Sequence, residues 1–189
     1  YKTETVWEVL SHLAALSPRG AVIWEVRSQN GKVSYLIGAA ARYIRNIEEA
    51  IKAHGDIQFH EVGTEKRAAV TTARQLKISH PTLSLKTDIT EAVIRAGLAA
   101  LTEDKSGTEM VIQIVLGRAY APSPVPTNLA DPNATWLQVL FGDVQKASAE
   151  SRKSVKEKAE QHIFQAVIRI GITGENTNTR LQSIISAFK

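Results

Sequence analysis

The sequence has no cysteine, a single methionine, and aromatic side chains at only 6% of its 189 positions. Without cysteine there is no thiol nucleophile, no zinc ribbon and no iron–sulfur cluster. No apolar run approaches the roughly 18–20 residues that a membrane-spanning helix needs. The opening stretch YKTETVWEVLSHLAAL carries acidic residues and no long apolar core, unlike a signal peptide. Neither GxxxxGK[ST] nor GxGxxG occurs, so no sequence pattern for cradling a polyphosphate is present. The GxSxG elbow of serine hydrolases is also missing. Five histidines (His12, His54, His60, His80 and His162) stand apart, and none pairs with another at metal-ligand spacing. These absences lead us to expect no catalytic residue, no metal and no cofactor.

What is present is enough for a packed core, with 43% hydrophobic and 22% charged residues. The net charge of +4 mildly favours an anionic partner. The chain opens on Tyr1 rather than Met, and the expectation is a piece of a longer intracellular protein.

The pattern along the chain alternates between helical and extended. Val6, Leu10, Leu13 and Leu16 recur at helical spacing over 5–16, and Ser17-Pro18-Arg19-Gly20 ends that helix. Two alternating runs, AVIWEVRS and KVSYLIG, flank Asn30-Gly31, a pair that tolerates the positive φ of a tight hairpin turn. Residues 39–54 read as a helix with Ile44, Ile47 and Ile51 on one stripe and Arg45–Glu49 and Glu48–Lys52 on the wet side. Extended runs are expected at 56–62 and at 68–79. Asp88 and Glu91 form a capping box for a helix to about Leu101. The run 109–118 is apolar on both faces and therefore belongs in the middle of a sheet.

In order, residues 31–118 spell strand, helix, strand, strand, helix, strand. The fold class expected is α+β: a ferredoxin-like βαββαβ sandwich with an extra N-terminal hairpin strand and a C-terminal strand–helix unit. The expected division is 1–118 for that domain, 119–160 for a proline-rich linker and charged helix, and 161–189 for the strand–helix unit. The last is either a truncated second half or a strand joining the first sheet.

Two segments could carry binding. Arg152, Lys153, Lys156 and Lys158 form a basic set on the charged helix, interleaved with Glu150, Glu157 and Glu160. Basic helices can follow a phosphate backbone, and mixed charge at this spacing also makes an ordinary solvated face. Trp136, Leu137, Val139, Leu140 and Phe141 form an apolar cluster after four prolines, suited to docking on a partner or to plugging the open side of the sheet. Gly171-Ile172-Thr173-Gly174 follows a strand where a phosphate loop would lie, but without lysine it reads as a strand-to-helix turn.

Two longer stretches resemble a known family. AVIRAGLAALTEDKSGTEMVIQIVLGRA and QAVIRIGITGENTNTRLQSIISAFK are similar to the region before the motor domain in conjugative-transfer and type IV secretion ATPases (HerA/FtsK-like) of Gram-positive mobile elements. In that family a short helix ends in a small-residue pattern, a strand with "VIQIVL"-like text follows, and an Arg-bearing strand leads into a closing helix. The Walker residues of the family match nothing in this chain. The resemblance implies a cytoplasmic, non-catalytic accessory domain for assembly or substrate engagement in DNA transfer, within a protein associated with the inner face of the cell membrane. It implies as partners the ATPase domain of the same polypeptide, neighbouring subunits, other secretion components and DNA, with no membrane contact by this segment. The other reading is a stand-alone nucleic-acid-binding α/β sandwich, with Trp24 and Tyr35 on an open sheet face.

Overall fold

The structure, a computed structural model, describes residues 3–16, 20–62, 70–78, 90–102, 108–174, 177–186 and 188. Among these are six helices and five strands. They are α1 (Thr3–Leu16), β1 (Val22–Gln29), β2 (Lys32–Gly38), α2 (Ala41–Lys52), β3 (Thr72–Leu76), α3 (Thr90–Thr102), β4 (Glu109–Tyr120), α4 (Trp136–Phe141), α5 (Ala149–Ala159), β5 (Ile163–Ile172) and α6 (Thr177–Ser186). The chain divides into two compact units, one of residues 1–76, 88–118 and 164–189, the other of 77–87 and 119–163.

The first unit is built on an open five-stranded antiparallel sheet in the order β2-β1-β4-β5-β3. Asn30 and Gly31 take φ of 52° and 75°, so the β1–β2 hairpin closes through the type I′ turn expected of that pair. Its register runs unbroken from Gln29 beside Lys32 to Ile23 beside Gly38. The apolar run β4 lies third of five, where a strand with two apolar faces fits. Thr173 donates its backbone N–H to the Glu109 carbonyl at 2.9 Å. Gly117 and Gln165 meet at the other end of the same pair of strands.

All the helices of this unit cover one face. Val22 and Trp24 pack in a cluster with Val9, Leu13, Ile47 and Ile51, which α1 and α2 bring down. Val26, two residues further along the same face of β1, packs in a second cluster with Leu101, Met110, Ile170, Leu181 and Ile184 under α3 and α6. Met110 and Ile112 of β4 belong to the second cluster and Leu116 to the first, again with period two. Ile47, Ile170, Ile172 and Leu101 are fully buried. Each such side chain contributes roughly 1.5–3 kcal/mol relative to exposure.

Several expectations change here. The run expected to be extended at 56–62 forms no strand. Ile57 and Phe59 do alternate inward and pack on the first cluster, but alternation requires only an extended one-sided chain, not a ladder partner. Val6 of α1 is exposed and Val9 takes the buried position of the stripe. Residues 161–189 do not stand apart as a second half, because β5 sits between β4 and β3 and α6 packs into the second cluster. Asp88 of the expected capping box and His80 lie outside the described residues.

The second unit holds the proline-rich segment. Prolines cannot donate to a ladder, yet the proline-free span between Pro126 and Pro132 makes one isolated antiparallel bridge, Ala130 to Lys146. Ala147 donates to the Leu129 carbonyl at 2.9 Å and Asp131 to the Gln145 carbonyl at 3.0 Å. The Ser123 N–H also donates to the Ala159 carbonyl at 3.0 Å, so the segment 119–134 is pinned at two places instead of being wholly loose.

Candidate functional site

Among the described residues the most exposed apolar element is α4. Thr135 caps it, its hydroxyl accepting from the Gln138 backbone N–H, while the Gln138 side chain accepts from the Thr135 N–H at 2.8 Å. This reciprocal cap satisfies two orphan donors without outside help. Gly142 ends the helix in the left-handed conformation at φ 71°. Between cap and stop every residue except Gln138 is apolar, and Gln138 is committed to the cap. Trp136 is 73% and Phe141 78% exposed, and Leu137, Val139 and Leu140 are exposed as well. No residue of α4 is buried. Together they present on the order of 600 Å² of apolar side-chain surface, as large as the largest patch on an ordinary monomer.

The four basic residues lie on α5, which Ser148 caps through the Ser151 N–H at 3.1 Å. At 100° per residue, Arg152, Lys153 and Lys156 share one side and Lys158 points elsewhere. Lys153 pairs with Glu157 at 3.9 Å and Lys156 with Glu160 at 3.6 Å. These are exposed pairs at four-residue spacing, worth at most about 0.5 kcal/mol each. Their glutamates also lower the local positive potential. The helix is a mixed-charge solvated face with a basic side, not a concentrated anion track.

A third constellation was not foreseen from the sequence. On the sheet face away from the helices, Glu25 is 4% exposed and accepts from Arg27 Nε at 2.9 Å and Nη2 at 2.5 Å. Its other oxygen accepts from Gln113 Nε2 at 3.2 Å. Arg27 also bonds the buried Glu109 carboxylate. The register places Glu25 directly beside Gln113. A signal for it existed: Glu25 and Arg27 alternate on one strand, and Gln113 is the lone interior polar residue of β4. One arginine held between two carboxylates satisfies buried charge and leaves no acid–base group aimed at open space, so the cluster reads as a polar lock between strands.

The turn after β5 is engaged by β4. Thr173 Oγ1 accepts from the Glu109 N–H at 2.9 Å. A Cβ at Gly174, whose φ is 99°, would come within 2.6 Å of the Thr108 side chain. The glycine there permits close packing of the turn. His54 pairs with Glu8 at 3.0 Å on the helical side. Among the described residues no three His, Asp or Glu side chains come together where they could hold a metal ion, and no helix is long and apolar enough to cross a membrane.

No family model matches the sequence, and neither a curated protein nor a solved structure matches it.

Proposed function

We propose that this chain is a non-catalytic accessory domain of a conjugative DNA-transfer or type IV secretion ATPase, acting in assembly or substrate engagement through protein contacts. The observation that carries the reading is α4, a self-capped helix whose apolar side chains all face outward. Helices of this kind bind by laying their anchors into an apolar groove. Large aromatic anchors such as Trp136 and Phe141 are the usual energetic centre of such a contact. The resemblance of residues 92–119 and 165–189 to the region before the motor supplies the class of partner: the ATPase domain of the same polypeptide, a neighbouring subunit, or another secretion component.

The ferredoxin-like reading belongs with this proposal in a shifted frame. With α4 and α5, which intervene between β4 and β5, set aside, the order β3-α3-β4-β5-α6 follows the first five elements of βαββαβ, with β5 lying between β4 and β3 and with α3 and α6 together over one face. The β1–β2 hairpin then extends the sheet from β4. This reading starts the frame at β3 instead of at residue 31.

The test is a transfer assay in a conjugative system carrying the protein, combined with titration of the chain against the purified motor domain. A Trp136→Ser/Phe141→Ser double variant should keep its melting temperature, lose most binding to the motor domain and reduce transfer at least tenfold. Unchanged transfer and unchanged binding would sink the proposal. The nucleic-acid reading would take its place if fluorescence anisotropy showed tight DNA binding that falls steeply with salt and disappears when Arg152, Lys153, Lys156 and Lys158 are neutralised together.

A further inference from the structure

The two ends of the sheet are unlike. β3 closes one edge with five residues, among them Arg74 and Gln75. Short length and charge are the ordinary protections of an edge. β2 closes the other edge with seven residues, KVSYLIG, of which only the terminal Lys32 is charged. It has no proline, and its pairing with β1 is free of bulges. Among the described residues no strand lies on its outer side.

The turn geometry fixes which backbone groups face outward. In a two-residue hairpin the residues flanking the loop, Gln29 and Lys32, exchange both hydrogen bonds. Alternation then turns the N–H and C=O groups of Lys32, Ser34, Leu36 and Gly38 toward β1. Those of Val33, Tyr35 and Ile37 point away from the sheet. Three consecutive outward positions therefore offer a donor and an acceptor each. At their centre Tyr35 is 71% exposed, so α3, which contacts β2, leaves the Tyr35 side chain at the middle of this edge open.

We infer that β2 is the self-association edge of this protein, pairing antiparallel with β2 of a second copy about a two-fold axis at Tyr35. The occupant is argued from self-complementarity. In that register Tyr35 faces Tyr35 of the second copy, Val33 faces Ile37, Ser34 faces Leu36 and Lys32 faces Gly38. Apolar residues meet on the helix-bearing face, and the aromatic pair sits on the axis. The only charge meets a glycine, so no like charges oppose one another. Two hydrogen bonds form at each of the three outward pairs, and two five-stranded sheets become one of ten. A two-fold contact closes on itself, which prevents the open-ended growth that a β2-to-β3 contact would allow. This contact is separate from α4 and does not depend on what α4 binds.

The experiment is sedimentation equilibrium of the 189-residue chain from about 1 to 300 µM, a range chosen for a small interface, together with amide hydrogen exchange at both extremes. The expected result is a monomer–dimer equilibrium in which the amides of Val33, Tyr35 and Ile37 gain protection as the dimer fills. Those of Ser34 and Leu36 are protected throughout. Tyr35→Lys places two cations on the axis and should weaken the dimer by roughly a hundredfold, with an unchanged circular dichroism spectrum because Tyr35 is exposed. Tyr35→Pro removes an outward donor that β1 does not use, and should do the same. A chain that stays monomeric at the highest concentration overturns the inference. So does a dimer that survives Tyr35→Lys, a dimer lost instead in Trp136→Ser, or an assembly that grows beyond two.

Discussion

The helices α2 and α4 use similar residues to opposite ends. In α2, Ile47 and Ile51 sit on one stripe and are buried, while Arg45–Glu49 at 3.2 Å and Lys52–Glu48 at 2.5 Å occupy the wet side. In α4, the apolar residues are distributed all round and exposed. An apolar stripe with a charged back identifies a helix that its own sheet will cover. An apolar helix with no charged back has no polar face to turn to water, even where a capping box satisfies its first amides. The contrast separates side chains that hold the fold from side chains that contribute nothing to its buried core.

Substitutions should respect that division. The largest effect is expected for Ile47→Asp. It places an uncompensated carboxylate in a fully buried position at a cost of several kcal/mol, against a total stability of about 5–15 kcal/mol. Thermal melts followed by circular dichroism should show the first unit largely unfolded, and a melting temperature equal to wild type would remove Ile47 from the core. Next comes Gly171→Ala in β5. The added Cβ would lie 2.9 Å from a Val70 methyl and 3.1 Å from a Val111 methyl. A loss of about 1–3 kcal/mol in urea unfolding is expected from this overpacking; no loss would mean that Val70 moves aside freely.

Thr135→Ala acts on the other side of the comparison. It removes the α4 cap, worth typically about 1 kcal/mol. The expected signature is faster amide exchange in 136–141 with no change in the exchange of β4 or β5, and a global loss of stability would break the distinction drawn between the two helices. The smallest effect is expected for Trp24→Phe. The indole Nε1 is buried with no hydrogen-bond partner among the described residues, so removing it relieves a desolvation penalty of about 1–3 kcal/mol while the smaller ring gives up packing. The two terms oppose, and the net change should stay within about 1 kcal/mol by calorimetry.

The sequence was legible wherever local chemistry decides the structure. Asn30-Gly31 marks its turn, Ile47 and Ile51 mark the buried stripe of α2, and the apolar text of β4 marks a central strand. It misled where an outcome depends on distant chain. Alternation at Ile57 and Phe59 is real, but β5, from far along the chain, lies between β4 and β3. The Glu25–Arg27–Glu109–Gln113 lock was missed for a similar reason, since only the β1–β4 register brings Gln113 beside Glu25. For the candidate sites, the apolar cluster at 136–141 was visible as composition; its exposure required knowing that the second unit offers it no cover. The four basic residues were equally visible, and the structure adds that helical phase sets Lys158 apart from Arg152, Lys153 and Lys156.

The place of β5 has a consequence for how the protein is made. Among the described residues β3 has a single sheet neighbour, and that neighbour lies ~90 residues later in the chain. At ribosomal rates of about 5–20 residues per second, β3 emerges about 5 to 20 s before its sheet neighbour is made. The β1–β2 hairpin, with a two-residue loop, faces no such wait. During synthesis the molecule therefore carries a finished hairpin at one end and an orphan strand at the other, and the nascent chain is most exposed to misassembly in the interval before residue 163 leaves the exit tunnel.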